Sequence, residues 1–186
     1  FFIGKIITKK TVFIDIGGGT SDIAVVNNGG VEGTQMFAIG GRSFTKRIST
    51  SLGVNFDQAE EMKLDHSAGK LSAEDDKAVS DALKSDIETW ISGVELGLGE
   101  FEGIEHLPNR ILLCGGGSAL PEIKHALSNT DWYKNLPFTR KPTIDFVKPT
   151  EVNRVIDKTN QLNSPQDITP MGLANLGLDI IGSQSA

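Results

Sequence analysis

The chain has 186 residues, a formal net charge of −6 and 38% hydrophobic residues, which suits one folded domain with a modest insertion. A pI near 5.1, with no Lys and Arg cluster interleaved with aromatics, argues against nucleic acid as a partner. Cys114 is the single cysteine, which excludes an intrachain disulfide and favours a reducing, cytoplasmic location. No apolar run approaches the roughly 20 residues that span a bilayer, so we expect no direct transmembrane segment.

The first part of the chain predicts three antiparallel strands. Residues 11–16 and 23–26 are rich in Val, Ile and Phe, and a glycine turn separates them. The Asn-Asn-Gly-Gly run at 27–30 is a hairpin signal before a third strand at 31–39. Because almost nothing precedes the first strand, we expect the chain to begin at a domain boundary.

A helical segment follows these strands. Phe44, Ile48 and Leu52 lie on one face of a predicted helix that ends at Gly53. A second helix is predicted over 57–64, and Ser72 begins a third whose apolar stripe reaches Leu98. Glycines at 93, 97, 99 and 103 predict that this helix frays or ends there. We interpret residues 53–108 as a small, mainly helical inserted subdomain, between first and last parts of the main domain at 1–52 and 109–186.

The last part predicts a return to the sheet. Residues 111–114 form a short apolar strand, 115–117 a glycine turn and 120–127 a helix with Pro121 in its first turn. A further strand is predicted at 144–147, a loop at 163–169, and a small-residue helix from Thr169 onwards. The interval 130–163 has the weakest pattern, and we assign it no functional residue.

The segment 15–22, DIGGGTSD, is the strongest candidate site. Its three glycines, Gly17, Gly18 and Gly19, let backbone N–H groups approach an anion, and Thr20 adds a hydroxyl donor. Asp15 is positioned to hold Mg²⁺ through water, and Asp22 is a possible second carboxylate. The glycines alone equally predict a tight hairpin. A following strand excludes a Rossmann loop, and the missing Gly-Lys-Ser/Thr ending excludes Walker A.

DIGGGTSD resembles the second phosphate loop of the superfamily of actin, DnaK chaperones and sugar kinases. ILLCGGGSALPEI at 111–123 resembles its adenosine motif, AIGGRSFT at 38–45 the loop that brings a glycine near the nucleotide, and AEEMK at 59–63 a pattern of MreB and FtsA. Without these neighbours, Glu60 and Lys63 at i, i+3 would be read as a solvated ion pair. The residues that the resemblance adds as nucleotide contacts are Gly41, Glu60, Lys63, Gly115, Gly116, Gly117 and Ser118.

The resemblance implies an α/β fold of the ribonuclease H type: an actin-type lobe whose mixed sheet opens with a three-stranded antiparallel meander and has helices on both faces. It also implies ATP or ADP with Mg²⁺ as cofactors, and the bacterial FtsA and PilM group fits best. Members of that group scaffold cell division or type IV pilus assembly at the inner membrane and self-associate. We therefore expect like subunits and division or pilus proteins as partners, in the cytoplasm or peripherally on the membrane.

In this superfamily the nucleotide lies between two lobes, and the N-terminal lobe is not in this sequence. We therefore expect no catalytic residue here and no ATP turnover by the chain alone, although its parent is plausibly a slow ATPase. Two alternatives stay open: a non-hydrolysing scaffold with a decayed cleft, and a DnaK-type or kinase lobe. We expect TPMGLANLGL at 169–178, Trp90 and Trp132 to serve packing, and the three histidines, His66, His106 and His125, to lie at the surface or an interface.

Overall fold

The computed structural model describes residues 10–27, 29–152 and 157–184. Its sheet has five strands in the order β3-β2-β1-β4-β5. Strand β1 is antiparallel to β2, which is antiparallel to β3, whereas β1 and β4, and β4 and β5, are parallel. The expected meander within a mixed sheet is therefore confirmed. The strands are β1 Thr11–Ile16, β2 Ser21–Asn27, β3 Gly30–Phe37, β4 Arg110–Cys114 and β5 Thr143–Phe146.

The central strands are buried on both faces. Strands β1, β2 and β4 have nearly continuous burial, which explains why their sequences are runs of Val, Ile, Leu and Phe rather than alternating patterns. Strand β3 at one end of the order alternates between exposed and half-buried residues. It ends at Phe37, two residues before the predicted end. Asn28 of the predicted hairpin lies outside the described residues.

Among the described residues, five α-helices accompany the sheet, and their ends follow local signals. Helix α1 ends before Gly53, whose φ of 68° suits glycine. Asn55 and Gln58 form a capping box at the start of α2, and the Ser72 side chain accepts a hydrogen bond from the Asp75 N–H at the start of α3. The helices are α1 Gly41–Leu52, α2 Phe56–Ser67, α3 Ala73–Gly99, α4 Pro121–Asn129 and α5 Ile168–Gln184.

Helix α3 continues through two of the glycines that were expected to fray it. A Cβ at Gly93 would lie 2.8 Å from the Phe37 ring, and a Cβ at Gly97 would lie 3.1 Å from Ile23 Cδ1. These glycines therefore let α3 lie close against β2 and β3, and packing outweighs their low helix propensity. The prediction of fraying at 93 and 97 was wrong, while the helix does end at Gly99.

Apolar side chains cover both faces of the sheet. The larger core joins one face to α1, α2, α3 and α4, and includes Trp90 and Trp132 as expected. The smaller core joins the other face to the start of α5, through Phe13, Leu112 and Met171. Helices therefore lie on both faces, as predicted. The division at 53 and 108 stays a prediction.

The segment before α5 is more regular than the predicted loop. Residues Pro165–Asp167 form a 3₁₀ helix, capped by Ser164, and α5 begins at Ile168. Strand β5 covers the predicted strand near 144–147 with a shift of one residue. Within the described ranges, no helix is long and apolar enough to cross a membrane.

Candidate functional site

The three predicted glycine motifs meet at one cleft of about 340 Å³ beside the carboxyl ends of β1 and β4. Parallel strands place their following loops side by side, which is why segments about 100 residues apart in the chain come together here. Helix α2 forms another wall of this cleft. The predicted residues that line it are Gly17, Gly18, Gly41, Glu60, Lys63, Gly116 and Gly117.

The loop after β1 is fixed by backbone hydrogen bonds. The Gly17 N–H donates to Thr20 O at 2.9 Å, and the N–H groups of Gly41 and Arg42 donate to Gly17 O and Gly18 O, each at 2.8 Å. These last two hydrogen bonds connect the first turn of α1 to the loop after β1. Thr20 Oγ1 donates to Asp22 Oδ2 at 3.0 Å.

Gly40 is a site residue that the sequence interpretation missed. A Cβ at this position would lie 2.6 Å from Gly17 O and 2.9 Å from Thr20 N, closer than any side chain tolerates. The sequence interpretation had named Gly41 as the glycine of AIGGRSFT that lies near the nucleotide, and Gly41 does line the cleft; a Cβ there would meet nothing nearer than 3.5 Å. Gly40 is therefore the residue whose missing side chain lets α1 contact the loop.

Two other glycines face open space. At Gly19 and Gly116, no heavy atom in the described part of the chain lies within 4 Å of the place where a Cβ would stand. Backbone that packing leaves uncovered can approach a ligand without obstruction. These two positions therefore differ from the glycines that packing alone requires.

Close packing requires a glycine at positions 115 and 117. Gly115 has a φ of +82°, and a Cβ there would lie 2.2 Å from Asp15 Oδ1. A Cβ at Gly117 would lie 2.4 Å from Ile16 Cγ2. The buried Ser118 donates from its Oγ to Gly115 O at 2.7 Å. The loop after β4 therefore packs closely against the end of β1.

The Asp15 side chain lies between the loop after β4 and the start of α5. Burial raises the pKa of its carboxyl group, a hydrogen bond from Thr169 opposes that rise, and nearby Asp22 adds to it. Thr169 Oγ1 donates to Asp15 Oδ2 at 2.6 Å. Thr169, in the first turn of α5, is a partner of Asp15 that the sequence interpretation missed, because the segment TPMGLANLGL had been assigned to packing only.

Glu60 and Lys63 form a partly buried network rather than a solvated pair. Lys63 is 8% exposed, and its Nζ donates to Gly41 O at 3.2 Å, Thr45 Oγ1 at 2.8 Å and Glu60 Oε2 at 2.7 Å. Those three bonds use all the donors of an ammonium group. Burial raises the pKa of Glu60, but hydrogen bonds from Lys63 and Thr45 outweigh it, and the net pKa is lowered.

The expectation that His66 lies at the surface was wrong in part, because its side chain is buried where three helices meet. Its Nδ1 is 2.7 Å from Asp76 Oδ1 of α3, and its Nε2 is 2.8 Å from Glu122 Oε1 of α4. The ring thus joins the C-terminal end of α2 to the two helices beside it. His106 and His125 are exposed as expected.

The donor set suits a magnesium nucleotide better than a metal held by protein alone. No group of three or more His, Cys, Asp or Glu residues suited to a metal occurs among the described residues. Mg²⁺ commonly binds proteins through one or two carboxylates, with water and substrate phosphates completing its shell. Asp15, at the end of β1 immediately before the glycine loop, is a carboxylate that fits that arrangement.

Comparison with known proteins gives a consistent family. The family model described as "Cell division protein FtsA" matches residues 12–172. The cell division protein FtsA of Bacillus subtilis is 30% identical over 129 residues, which are 59% of this chain and 29% of that protein. FtsA of Neisseria meningitidis is 43% identical over 61 residues, 33% of this chain and 15% of that protein. The chain therefore spans less than a third of these curated relatives.

Solved structures show the actin-like fold. The chain matches a PilM-PilN type IV pilus biogenesis complex with a TM-score of 0.67 and 20% identity, over 95% of this chain and 48% of that one. It matches a non-polymerising MamK mutant bound to AMPPNP with a TM-score of 0.58 and 18% identity, over 81% of this chain and 54% of that one. The expected α/β actin-type lobe is thus confirmed.

Proposed function

The chain belongs to the FtsA family, and from this premise we propose that its cleft binds ATP or ADP with Mg²⁺. The observation that carries the proposal is the meeting of three glycine loops and α2 around one cleft. Gly116 lines the cleft and leaves backbone uncovered, although packing does not require a glycine at this position. Gly19, in the loop after β1, is uncovered in the same way. Polyphosphate is the ligand class that such uncovered backbone suits.

The glycine loops would take the phosphates. Gly17 and Gly18, which line the cleft, would supply backbone after the end of β1. Gly19 and Thr20 continue the same loop. Bound Mg²⁺ would neutralise phosphate charge, and Asp15 would hold it through water. Asp22 lies opposite Asp15 in the strand register and would be a second carboxylate available to Mg²⁺.

Helix α2 would take the base and ribose. Phe56 and Leu64 line the cleft and are 46% and 57% exposed, so they offer apolar surface to a planar base. Glu60, with its lowered pKa, is an acceptor for ribose hydroxyls. Lys63 would act by positioning Glu60 and the Gly41 loop, because its three donors are already bonded to them.

At the level of the whole protein, we propose a scaffold that assembles with like subunits and with cell-division or pilus-assembly proteins, in the cytoplasm or peripherally at the inner membrane. Family membership supports the division role, and the fold shared with the PilM structure supports the pilus alternative. Nucleotide-dependent self-association would be the working principle. The chain alone would not turn over ATP, because phosphoryl transfer needs positioning groups from a second lobe.

Calorimetric titration of ATP and ADP, with Mg²⁺ and with EDTA, tests the nucleotide proposal. The critical variant is Gly116→Val, which adds bulk only where the cleft is open. The matched control is Gly177→Val in α5, where a Cβ also meets no described heavy atom within 4 Å. We expect weak binding by the wild type, loss of at least tenfold in affinity for Gly116→Val, and unchanged affinity for Gly177→Val.

The same titration on a longer protein, in which an N-terminal actin-like lobe precedes these residues, is the stronger negative test. Absence of binding in that longer protein would overturn the nucleotide proposal and favour a protein-interaction scaffold with a decayed cleft. Equal affinity of wild type and Gly116→Val would place the nucleotide elsewhere in the molecule.

A further inference from the structure

The corner between the last loop and α5 contacts two of the glycine loops at once. Gly115 N–H donates to Pro165 O at 3.1 Å, Gln166 lines the cleft, and Thr169 Oγ1 donates to Asp15 Oδ2 at 2.6 Å. The contact between Thr169 and Asp15 joins residues 154 positions apart. This corner therefore closes the site from a part of the chain that carries no glycine motif.

The corner is itself well braced. The Asp167 carboxylate accepts hydrogen bonds from the N–H groups of Asn163 and Ser164, at 3.1 and 2.9 Å. Ile168 and Met171, on either side of Thr169 in the helix, are 2% and 3% exposed in the smaller core. Thr169 itself is exposed, and its hydroxyl group extends from this braced backbone to the Asp15 carboxylate.

The two oxygens of the Asp15 carboxylate have different neighbours. Oδ2 accepts a hydrogen bond from the Thr169 hydroxyl, and Oδ1 occupies space beside Gly115, where a Cβ would lie 2.2 Å away. The Thr169 hydroxyl group therefore holds one oxygen, and the missing side chain of Gly115 leaves room for the other. Packing of α5 does not require that hydroxyl group, because Ile168 and Met171 supply the apolar contacts.

We propose that Thr169 is a positioning residue that orients the Asp15 carboxylate toward a magnesium nucleotide, and so links occupancy of the cleft to the first turn of α5. The inference rests on the proposed function. Linkage makes it reciprocal: if the hydroxyl group favours binding of the magnesium nucleotide, that binding stabilises the contact between α5 and β1. The stability of the first turn of α5 would then depend on whether the cleft holds the magnesium nucleotide.

The test compares Thr169→Val, which keeps the shape and removes the hydroxyl group, with Thr169→Ser, which keeps the hydroxyl group. Thr50→Val is the matched control, because Thr50 makes only a local hydrogen bond to Lys46 O on the exposed side of α1. The first readout is the affinity for ADP in Mg²⁺ divided by that in EDTA. Thr169→Val should reduce this ratio roughly tenfold, the effect of one hydrogen bond to a charged group, while Thr169→Ser and Thr50→Val keep it.

The second readout is hydrogen exchange in the first two turns of α5. ADP with Mg²⁺ should slow exchange there in the wild type and in Thr169→Ser, and should leave Thr169→Val unchanged. A merely structural role would alter exchange in Thr169→Val equally with and without ligand. Thermal unfolding of each variant checks that the fold is retained.

The outcomes separate the two proposals. If the wild type binds ADP and Thr169→Val shows the same magnesium ratio and the same ligand-induced protection, the inference about Thr169 is overturned and the nucleotide site stands. If the wild type binds no nucleotide, even with an N-terminal lobe restored, the proposed function fails and this inference fails with it.

Discussion

The two walls of the cleft are built in opposite ways. At the ends of β1 and β4, the loops approach each other because side chains are absent: a Cβ at Gly40, Gly115 or Gly117 would lie 2.2 to 2.6 Å from a neighbouring atom. On α2, the wall exists because side chains are present, with Lys63 tying Glu60 to the Gly41 loop. One wall depends on steric fit and the other on compensated charge.

The two walls should therefore respond differently to substitution. Closely packed backbone cannot yield to an added carbon without moving a strand, so a single methyl group is costly. A charge network loses only the bonds of the atom removed, and partial exposure to water compensates some of that loss. We therefore expect the largest effects on stability in the glycine wall and smaller, pH-dependent effects on α2.

The change Gly115→Ala should have the largest effect. It forces alanine into a φ of +82° and places its Cβ 2.2 Å from Asp15 Oδ1, so we expect a loss of about 3 kcal/mol in the free energy of unfolding. Urea unfolding measures it. Gly116→Ala, one residue further on in open space, is the control and should change stability by less than about 1 kcal/mol. Equal losses in both variants would contradict the steric account.

The change Lys63→Met should come next. It removes a buried ammonium group and the hydrogen bonds that this group donates to Thr45 Oγ1 and Glu60 Oε2, at a cost of about 2 kcal/mol. Lys77→Met is the control, because Lys77 and Asp81 form an exposed pair with side chains 76% and 67% accessible; it should cost no more than about 0.5 kcal/mol. Equal losses in the free energy of unfolding for the two variants would show that the hydrogen bonds of Lys63 do not stabilise the fold.

The change Glu60→Gln should have the smallest effect, and one that depends on pH. The pKa of Glu60 lies below its ordinary value of 4.5, so its ionised form stabilises the fold above pH 4.5 and that contribution is lost as pH falls through the lowered pKa. We expect a loss of about 1 kcal/mol at pH 7 that disappears in acid. Unfolding at pH 7 and at about pH 3 measures the difference, and a loss independent of pH would exclude the charge as its cause.

The sequence predicts features whose signals are local. Apolar runs identify β1, β2 and β4, a 3.6-residue period identifies α1, and Gly53 marks where α1 ends. The motif DIGGGTSD identifies the loop after β1 for the same reason, because glycine spacing within eight residues determines its shape.

Features created by contacts between distant segments could not be predicted in this way. Thr169 reaches Asp15 over 154 positions and His66 reaches Glu122 over 56, and neither partner has a sequence signal for the other. Gly93 and Gly97 were predicted to fray α3, but their missing side chains make room for Phe37 and Ile23 of the sheet. Gly40 gains its role only when α1 contacts the loop after β1.

A backbone amide NMR titration of this chain with ADP and Mg²⁺ tests the proposed nucleotide cleft. If the three glycine loops and α2 form one nucleotide cleft, the largest shift changes will come from residues 17–20, 40–42, 60–64 and 115–118 together, and Gly116→Val will remove them. Shift changes confined to the groove between α3 and α4, near Lys84 and His125, would contradict that claim.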